Sequence, residues 1–280
     1  MKHSFVAGAD DEGLRLDQVI PKHVPALSRR KARAVIDAGG VFVDRARTKV
    51  ASRPVKTGQT IEVNLGSESR TEPPLAPAIV FTDTHLIIAD KPAGLVTAPT
   101  PESDRGDLLD QLKKQFGEVY LVHRIDLPTS GLLVFARTRQ ANKTLGDAFV
   151  EHRIEREYRA VAIGDVAAQT IDRPIEGRRA VTHVEPIEQL AGATLLAVRL
   201  ETGRTHQIRI HLAGIGHPLA GDSQHGGELS RTFTPRAPRL ALHAAGRGFA
   251  QPATGEQVRF ESELPAELAA WITRLRTSTP

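Results

Sequence analysis

The feature that most constrains the fold is an uninterrupted apolar run at residues 132–136, which follows directly on a short polar segment. Five apolar residues in succession after turn-forming residues predict a strand that is buried on both faces. The polar segment contains Asp126, and Pro128 and Gly131 indicate a turn. A loop fixed by a buried strand holds a side chain in place, so Asp126 is a candidate reacting group. Capping of the turn is the alternative role for this aspartate.

The composition excludes several kinds of chemistry. The 280 residues include no cysteine, which excludes disulfides, thiolate nucleophiles and sulfur-ligated metals and suits a reducing cytoplasm. Residues 1–13 lack the apolar segment of a signal peptide, and no run approaches the roughly 20 apolar residues of a membrane span. We therefore expect a cytoplasmic protein with no membrane partner.

Positive charge is concentrated near the beginning of the chain. Residues 1–66 hold 12 Lys and Arg against 7 Asp and Glu, whereas residues 67–280 hold 25 against 26. This distribution favours a phosphate-rich partner that is met first by the N-terminal part, because each neutralised phosphate releases counterions. An ordinary basic surface is the alternative.

The N-terminal part is predicted to contain a short helix with a basic face. Ser28 can cap this helix and Gly39 can end it, and strands are expected at residues 41–43 and 60–63. Cationic side chains on one face of so small a unit can contact a nucleic-acid backbone. The candidate RNA-binding residues are Arg29, Arg30, Lys31, Arg33, Arg45 and Arg47.

The remaining chain is predicted to contain both strands and helices. Two strands are expected within residues 78–89, a helix near 108–116, a helix capped by Thr138, antiparallel strands that include 181–184 and 195–200, and a final helix after Pro265.

Residues 204–211, RTHQIRIH, read as a strand in which polar and apolar side chains alternate. Gln207 and Arg209 would then share one face, and His206 would lie on the other. His206 and His211 would face opposite sides, and no cysteine or acidic cluster completes a ligand set, so no metal site is predicted.

Several strings resemble motifs of the RluA-type pseudouridine synthases, which convert a uridine within RNA into its carbon-linked isomer. They are HRID and TSG within residues 123–131, KPAG at 91–94, RTHQIRIH at 204–211, HPLAGD at 217–222 and RLALHA at 239–244. Residues 13–66 resemble the small RNA-binding domain first described in ribosomal protein S-four. The chain departs from the usual residues at Gln59, Ile125, Arg156 and His225, where Asp, Leu, Lys and Tyr are common.

This resemblance implies an α+β protein with two domains. Residues 13–66 would form a small α/β RNA-binding domain and residues 67–77 a linker. Residues 78–276 would form a catalytic domain built on a mixed, mainly antiparallel sheet with flanking helices.

The resemblance also implies roles for particular residues. Asp126 would be the nucleophile, Arg209 its cationic partner, and Tyr158 would lie against the target base and help to remove its C5 proton. The sequence does not choose between attack on ribose C1′ and on uracil C6. The expected substrate-binding residues are Arg124, His123, Thr129, Leu242 and Gln207. No metal, nucleotide or other cofactor is expected, and the protein is expected to act as a monomer on RNA, with ribosomal RNA favoured.

Three alternatives remain open from the sequence. A transfer RNA can be the substrate in place of large-subunit ribosomal RNA. A glycosidase would need two separated carboxylates, and only Asp126 and Asp222 lie in distinctive motifs. A non-catalytic RNA-binding or ribosome-assembly factor would need only the N-terminal part.

Overall fold

The computed structural model describes residues 2–37, 39–64, 75–99 and 107–277. The chain forms two compact units, and the larger one begins at residue 75. Residues 67–74 of the predicted linker lie outside the described ranges. The predicted α+β class is confirmed, with both units combining sheets and helices.

The N-terminal unit packs two helices on a four-stranded antiparallel sheet. Its elements are β1 (Lys2–Val6), a short 3₁₀ helix (Ala9–Asp11), α1 (Leu16–His23), α2 (Arg29–Asp37), β2 (Val41–Val43), β3 (Ala46–Thr48) and β4 (Thr60–Asn64), with strand order β1-β4-β2-β3. The cap at Ser28 is confirmed, since its Oγ accepts the Lys31 amide at 3.3 Å. The apolar faces of α1, α2 and the sheet bury one continuous core.

The larger unit is built on one long mixed sheet. Its elements are β5 (Ala78–Thr82), β6 (Leu86–Lys91), α3 (Leu108–Phe116), β7 (Tyr120–Leu121), β8 (Ser130–Ala136), α4 (Arg139–Val150), β9 (Glu155–Ile163), β10 (Gln169–Asp172), β11 (Val181–Leu190), β12 (Ala193–Leu200), α5 (Gln207–Gly214), α6 (Gly227–Thr232), β13 (Leu242–Ala250), β14 (Gln257–Glu261) and α7 (Ala266–Thr277). The strand order is β10-β11-β12-β9-β13-β8-β6-β5, with β14 beside β13 and β7 beside β8. The sheet is mainly antiparallel, as predicted, and β13 and β8 run parallel.

Strand β8 lies in the middle of this sheet, and all seven of its residues are buried, as its apolar run predicted. The second residue of this strand must be a glycine. Gly131 has a φ of +112°, and a Cβ atom there would lie 2.3 Å from the carbonyl oxygen of Ala244 on β13. The close parallel pairing of β8 with β13 therefore anchors the segment that carries Asp126.

The prediction of a strand at residues 204–211 is wrong, because α5 begins at Gln207. Alternating apolar residues in so short a run suit a strand and a helix equally, and periodicity cannot separate them. His206 adopts a left-handed backbone conformation with a φ of 55° and turns the chain into the helix. Ile208 and Leu212 then fall one turn apart and pack in the core. The predicted placement of His206 and His211 on opposite faces of a strand is therefore wrong as well.

Candidate active site

A cleft of about 320 Å³ opens beside the C-terminal end of the HRID segment. This volume lies at the lower end of the range of about 300–1,000 Å³ found for small-molecule sites. The structure brings to this cleft all eight residues predicted for catalysis and substrate binding: His123, Arg124, Asp126, Thr129, Tyr158, Gln207, Arg209 and Leu242.

Arg209 joins two carboxylates at the floor of the cleft. Its Nε and Nη2 atoms each donate to the buried Asp222 carboxylate at 2.8 Å, and its Nη1 atom donates to Asp126 Oδ2 at 3.3 Å. The bidentate pair fixes the plane of the guanidinium, and so fixes the direction in which Nη1 points at Asp126. Asp222 is therefore a positioning residue that the sequence pattern alone did not assign.

The charges of this pair are stable in the folded protein. Burial acts to raise the pKa of Asp222, but hydrogen bonds from Arg209 and from the amides of His225 and Gln224 hold that pKa below its usual value. Burial likewise acts to lower the pKa of Arg209, and the hydrogen bonds to Asp222 raise it overall. Both groups therefore remain ionised at neutral pH.

Asp126 remains accessible from the cleft, with 22% of its side chain exposed. The Nε2 atom of His206 lies 3.7 Å from Asp126 Oδ2, and the Nδ1 atom of His206 lies 2.9 Å from His225 Nε2. Burial lowers the pKa of His206, although Asp126 acts in the opposite direction. The net effect favours the neutral form of the His206 imidazole beside Asp126.

A buried lysine ties together the two loops that flank the nucleophile candidate. Lys91 begins the KPAG segment, is fully buried, and donates from Nζ to the carbonyl oxygens of Pro92, Leu95 and Leu127 at 3.1, 2.8 and 3.3 Å. Burial, with a contribution from Arg239, lowers the pKa of Lys91 to about 7. Its contacts position the backbone next to Asp126. The sequence marked this lysine only as the first residue of the KPAG motif, at the end of an apolar strand.

Tyr158 lies on β9 in the wall of the cleft and is 8% exposed. Side chains alternate along this strand, because Tyr158, Ala160 and Ala162 share one core cluster whereas Val161 and Ile163 belong to another.

Two predicted binding residues have most of their polar atoms engaged by protein. His123 Nε2 accepts the Val134 amide at 3.0 Å, and burial lowers the pKa of His123 well below its usual range. The Gln207 amide is bonded at 2.8–3.0 Å to the Thr202 hydroxyl, the Arg204 amide, the Val181 carbonyl oxygen and the Thr182 hydroxyl. These contacts fix the segment before α5.

Two other predicted residues keep free polar groups. Thr129 is 2% exposed, and its Oγ1 atom has no hydrogen-bond partner in the described part of the chain. Arg124 is exposed at the cleft and forms no ion pair with any residue that the structure describes. Both groups are available to a substrate.

The cleft is locally cationic, although its unit has no excess of positive charge. Arg124, Arg156, Arg204 and Arg209 line it, against the single carboxylate of Asp126. Counting charges along the chain missed this concentration, because residues far apart in sequence supply it. A cleft of this kind suits a substrate that carries phosphate.

In the N-terminal unit, one buried carboxylate organises part of the basic surface. Asp17 is fully buried and accepts hydrogen bonds from the Nε atoms of Arg15, Arg29 and Arg33 at 3.1, 3.2 and 2.6 Å. Burial opposes its ionisation, but these hydrogen bonds lower the pKa of Asp17 to about 2. Two predicted RNA-binding residues, Arg29 and Arg33, are thus held in place while their side chains stay about half exposed, at 51% and 49%.

The other predicted RNA-binding residues of this unit are placed differently. Arg30, Lys31 and Arg45 are exposed, and the guanidinium of Arg47 lies 5.1 Å from the centre of the Phe42 ring. Among the described helices, none combines the length and the apolar character that crossing a bilayer requires.

The cleft presents one arginine-braced carboxylate among cationic side chains, an arrangement typical of enzymes that act on phosphate-bearing substrates. Comparison with known proteins identifies the family. The family model for RNA pseudouridylate synthase matches residues 85–214, and that for the S4 domain matches residues 14–61.

Relatives extend this match over nearly the whole chain. The ribosomal large subunit pseudouridine synthase D of Nitrosomonas europaea is 36% identical over 94% of this chain and 85% of its own length. The protein of the same name from Zymomonas mobilis is 35% identical over 95% of each chain, and an uncharacterized RNA pseudouridine synthase of Bacillus subtilis is 32% identical over 97% of each. The chain therefore belongs to the RNA pseudouridine synthases of the RluA type, with an N-terminal S4 domain.

Solved structures share the fold of the larger unit. Human RNA pseudouridylate synthase domain containing 4 superposes with a TM-score of 0.59, at 22% identity over 72% of this chain and 94% of its own. Human RNA pseudouridylate synthase domain containing 1 gives a TM-score of 0.58 at 23% identity, over 73% and 96%.

Proposed function

We propose that this protein converts specific uridines of large-subunit ribosomal RNA into pseudouridine, with Asp126 as the nucleophile. Relatives that carry the ribosomal name align over almost their full length, which supports the choice of RNA. The observation that carries the proposal is the geometry of Arg209, which is locked by Asp222 and directs one hydrogen bond to Asp126 in an accessible cleft.

The reaction breaks the bond between N1 of uracil and C1′ of ribose and forms a bond from C5 to C1′. The Asp126 carboxylate adds to C1′ or to C6, which divides one difficult step into two easier ones. C5 then bonds to C1′, and the bond to Asp126 breaks with its electron pair returning to the carboxylate. The C5 proton leaves to solvent, and solvent supplies the proton that N1 gains. No electrons are gained or lost overall, so the isomerisation needs no redox partner.

Arg209 orients the Asp126 carboxylate and offsets its charge while the substrate displaces water from the cleft. A lone carboxylate in a drying cleft tends to take up a proton, and a fixed guanidinium opposes this. Because two of the three hydrogen bonds of Arg209 to carboxylates go to Asp222, the guanidinium stays in position when Asp126 forms its covalent bond.

A uridine stacked in RNA must leave its helix to reach Asp126, at a cost of a few kcal/mol. Tyr158 and Leu242 line the cleft and supply apolar surface for the extruded base. The free hydroxyl of Thr129 offers one hydrogen bond to the base, and exposed Arg124 holds a flanking phosphate or occupies the vacated place.

The N-terminal unit binds the RNA backbone in this proposal. Asp17 fixes the guanidinium groups of Arg29 and Arg33, which lowers the entropy lost when they contact phosphates. The remaining cationic residues of the surface are Arg30, Lys31, Arg45 and Arg47. One chain supplies all these groups, so in this proposal the enzyme acts as a monomer, in the cytoplasm and without metal or cofactor.

Tritium release tests the choice of substrate. Transcripts of large-subunit ribosomal RNA and of transfer RNAs, each labelled with [5-³H]uridine, are incubated with the full chain, because the C5 hydrogen is lost only when C5 becomes bonded to ribose. Release from the ribosomal transcript supports the proposal, and release from transfer RNA alone contradicts the choice of RNA. Tight binding to RNA without release indicates an assembly factor, and free uracil indicates a glycosidase.

A further inference from the structure

A second buried arginine, Arg247 on β13, contacts Tyr158 and has no carboxylate partner among the described residues. It is fully buried, and the hydrogen bonds that it makes within the described ranges go to backbone oxygens and to the Tyr158 hydroxyl. Burial of a charge is costly unless that charge is compensated. The position of Arg247 in a strand of the active-site sheet therefore calls for an explanation.

Backbone contacts account for part of its hydrogen bonding. Nη1 donates to the carbonyl oxygens of Gly246 and Glu157 at 2.7 and 3.3 Å, where the pairing of β13 with β9 changes register. The Nε atom has no partner among the described residues. Carbonyl oxygens satisfy donors but leave the positive charge uncompensated.

The remaining contact of Arg247 is with Tyr158. Its Nη2 atom donates to Tyr158 Oη at 3.1 Å, and its guanidinium carbon lies 4.8 Å from the centre of the ring. One residue thus holds both the ring and the oxygen of Tyr158. A second buried cation, Arg156, also lines the cleft. Burial is the main cause of its lowered pKa, Tyr158 acts in the opposite direction, and the charges of Arg247 and Arg204 lower it further.

We propose that Arg247 is a positioning residue that fixes Tyr158 Oη against the extruded uracil and compensates negative charge on that oxygen. The proposal rests on the function proposed above and assigns a new residue to its last step. Tyr158 is the group that touches the base, and Arg247 acts through it.

The proposed step uses Tyr158 as the base that receives the C5 proton, in the form of its phenolate. The guanidinium of Arg247, which donates to Oη at 3.1 Å, would compensate the charge of that anion. After the C5–C1′ bond has formed, Oη takes the C5 proton, and the electron pair of the C5–H bond returns to the ring as the C5–C6 double bond. The bond between Asp126 and the substrate has broken by the end of this step, and solvent supplies the proton that N1 gains. A neutral group at position 247 would leave the anion uncompensated.

The test is a cycle of Arg247→Met, Tyr158→Phe and the double variant, measured by single-turnover tritium release from an RNA that the wild-type enzyme modifies. We expect Arg247→Met to lower the rate about 10- to 150-fold, the range of one charge-assisted hydrogen bond, with KM within about twofold. The double variant should be no slower than Tyr158→Phe alone. If Arg247→Met lowers the rate of the Tyr158→Phe enzyme by the same factor as it lowers the wild-type rate, the role of Arg247 is purely structural and the proposal is overturned. An unchanged rate in Arg247→Met would also overturn the proposal.

If Tyr158→Phe is too slow to follow, a second measurement tests the proposal. RNA containing 5-deuterouridine should show a larger isotope effect with Arg247→Met than with wild type, because C5 proton removal becomes slower. An unchanged isotope effect would overturn the proposal.

Matched variants separate folding from chemistry. Arg247→Gln retains a donor for the Gly246 carbonyl oxygen but lacks the charge, and it replaces Arg247→Met in the cycle if the latter does not fold. Arg259→Met removes an ion-paired arginine from the adjacent strand β14, outside the cleft, and should leave the rate unchanged. If wild-type enzyme releases no tritium from any RNA, the proposed function fails, whereas an active wild type with an additive cycle refutes only the role of Arg247.

Discussion

Removal of Arg209 should destabilise the larger unit as well as stop catalysis. Arg209 and Asp222 have 4% and 1% of their side chains exposed and share two hydrogen bonds of 2.8 Å. In Arg209→Met the Asp222 carboxylate keeps only the amides of Gln224 and His225, both at 3.0 Å. Breaking a buried pair from one side costs about 3–5 kcal/mol.

The same magnitude follows from the contacts themselves. Each charge-assisted hydrogen bond contributes about 1.5–3 kcal/mol, and Arg209→Met removes two of them from Asp222. With an m-value of about 2–3 kcal/mol per M of urea, the urea midpoint should fall by about 1–2 M. Asp222→Asn removes the charged bidentate partner of the Arg209 guanidinium and should have a similar effect.

Trp271 makes this measurement specific to one unit. It is the single tryptophan of the chain, lies fully buried on α7 and donates from Nε1 to the carbonyl oxygen of Pro235 at 2.9 Å. Its fluorescence therefore reports unfolding of the larger unit alone. Urea titrations of wild type, Arg209→Met, Asp222→Asn and the double variant complete a thermodynamic cycle.

The double variant carries the decisive result. It leaves no buried charge of this pair unpartnered, so it should be about as stable as either single variant, with a coupling free energy of about 3–5 kcal/mol. Additive losses, or an Arg209→Met protein as stable as wild type, would refute the account of Arg209 as a locked bridge between two carboxylates. Tritium release should be lost in Arg209→Met and in the double variant even where these remain folded.

The pKa directions lead to two further predictions. Asp17→Asn should weaken RNA binding severalfold in filter-binding assays, because the guanidinium groups of Arg29 and Arg33 lose the carboxylate that holds them in place. The pKa of Asp17 is lowered to about 2 in the folded protein. The stabilising contribution of its carboxylate is therefore complete above about pH 4 and is lost as the pH falls through 2. Acid unfolding of the N-terminal unit within the full chain measures this loss. Burial is the main cause of the lowered pKa of His206, and the charge of His225 adds to it. His225→Gln keeps a polar side chain but removes the second imidazole, so His206 should be protonated at higher pH and pair with Asp126. The acid limb of the pH–rate profile should then move to higher pH, and an unchanged limb would contradict this coupling.

The sequence predicts most elements whose apolar pattern is long or whose ends carry capping residues. Strand β8 follows from its apolar run, α2 from Ser28, and α4 from Thr138, whose Oγ1 accepts the Ala141 amide. Helix α5 could not be predicted in this way. Over eight residues its apolar positions alternate, and the left-handed turn at His206 that starts the helix has no pattern of its own.

The site was predictable where it depends on motif strings and not where it depends on buried charge. The resemblance named Asp126 and Arg209 as partners, and the structure places them 3.3 Å apart. Lys91, Asp222 and Arg247 were not assigned roles, because pattern rules place charged residues at the surface. Their partners are backbone carbonyl oxygens or side chains remote in sequence, which only the folded chain brings together.

The most direct test of the central claim is single-turnover tritium release by Asp126→Asn on the RNA that the wild-type enzyme modifies, with binding measured in parallel. Asparagine retains the size of the side chain but is a far weaker nucleophile. The account predicts complete release by wild type, no detectable release by Asp126→Asn, and RNA binding within about twofold of wild type. Release by Asp126→Asn at a rate near that of wild type would contradict the assignment of the nucleophile.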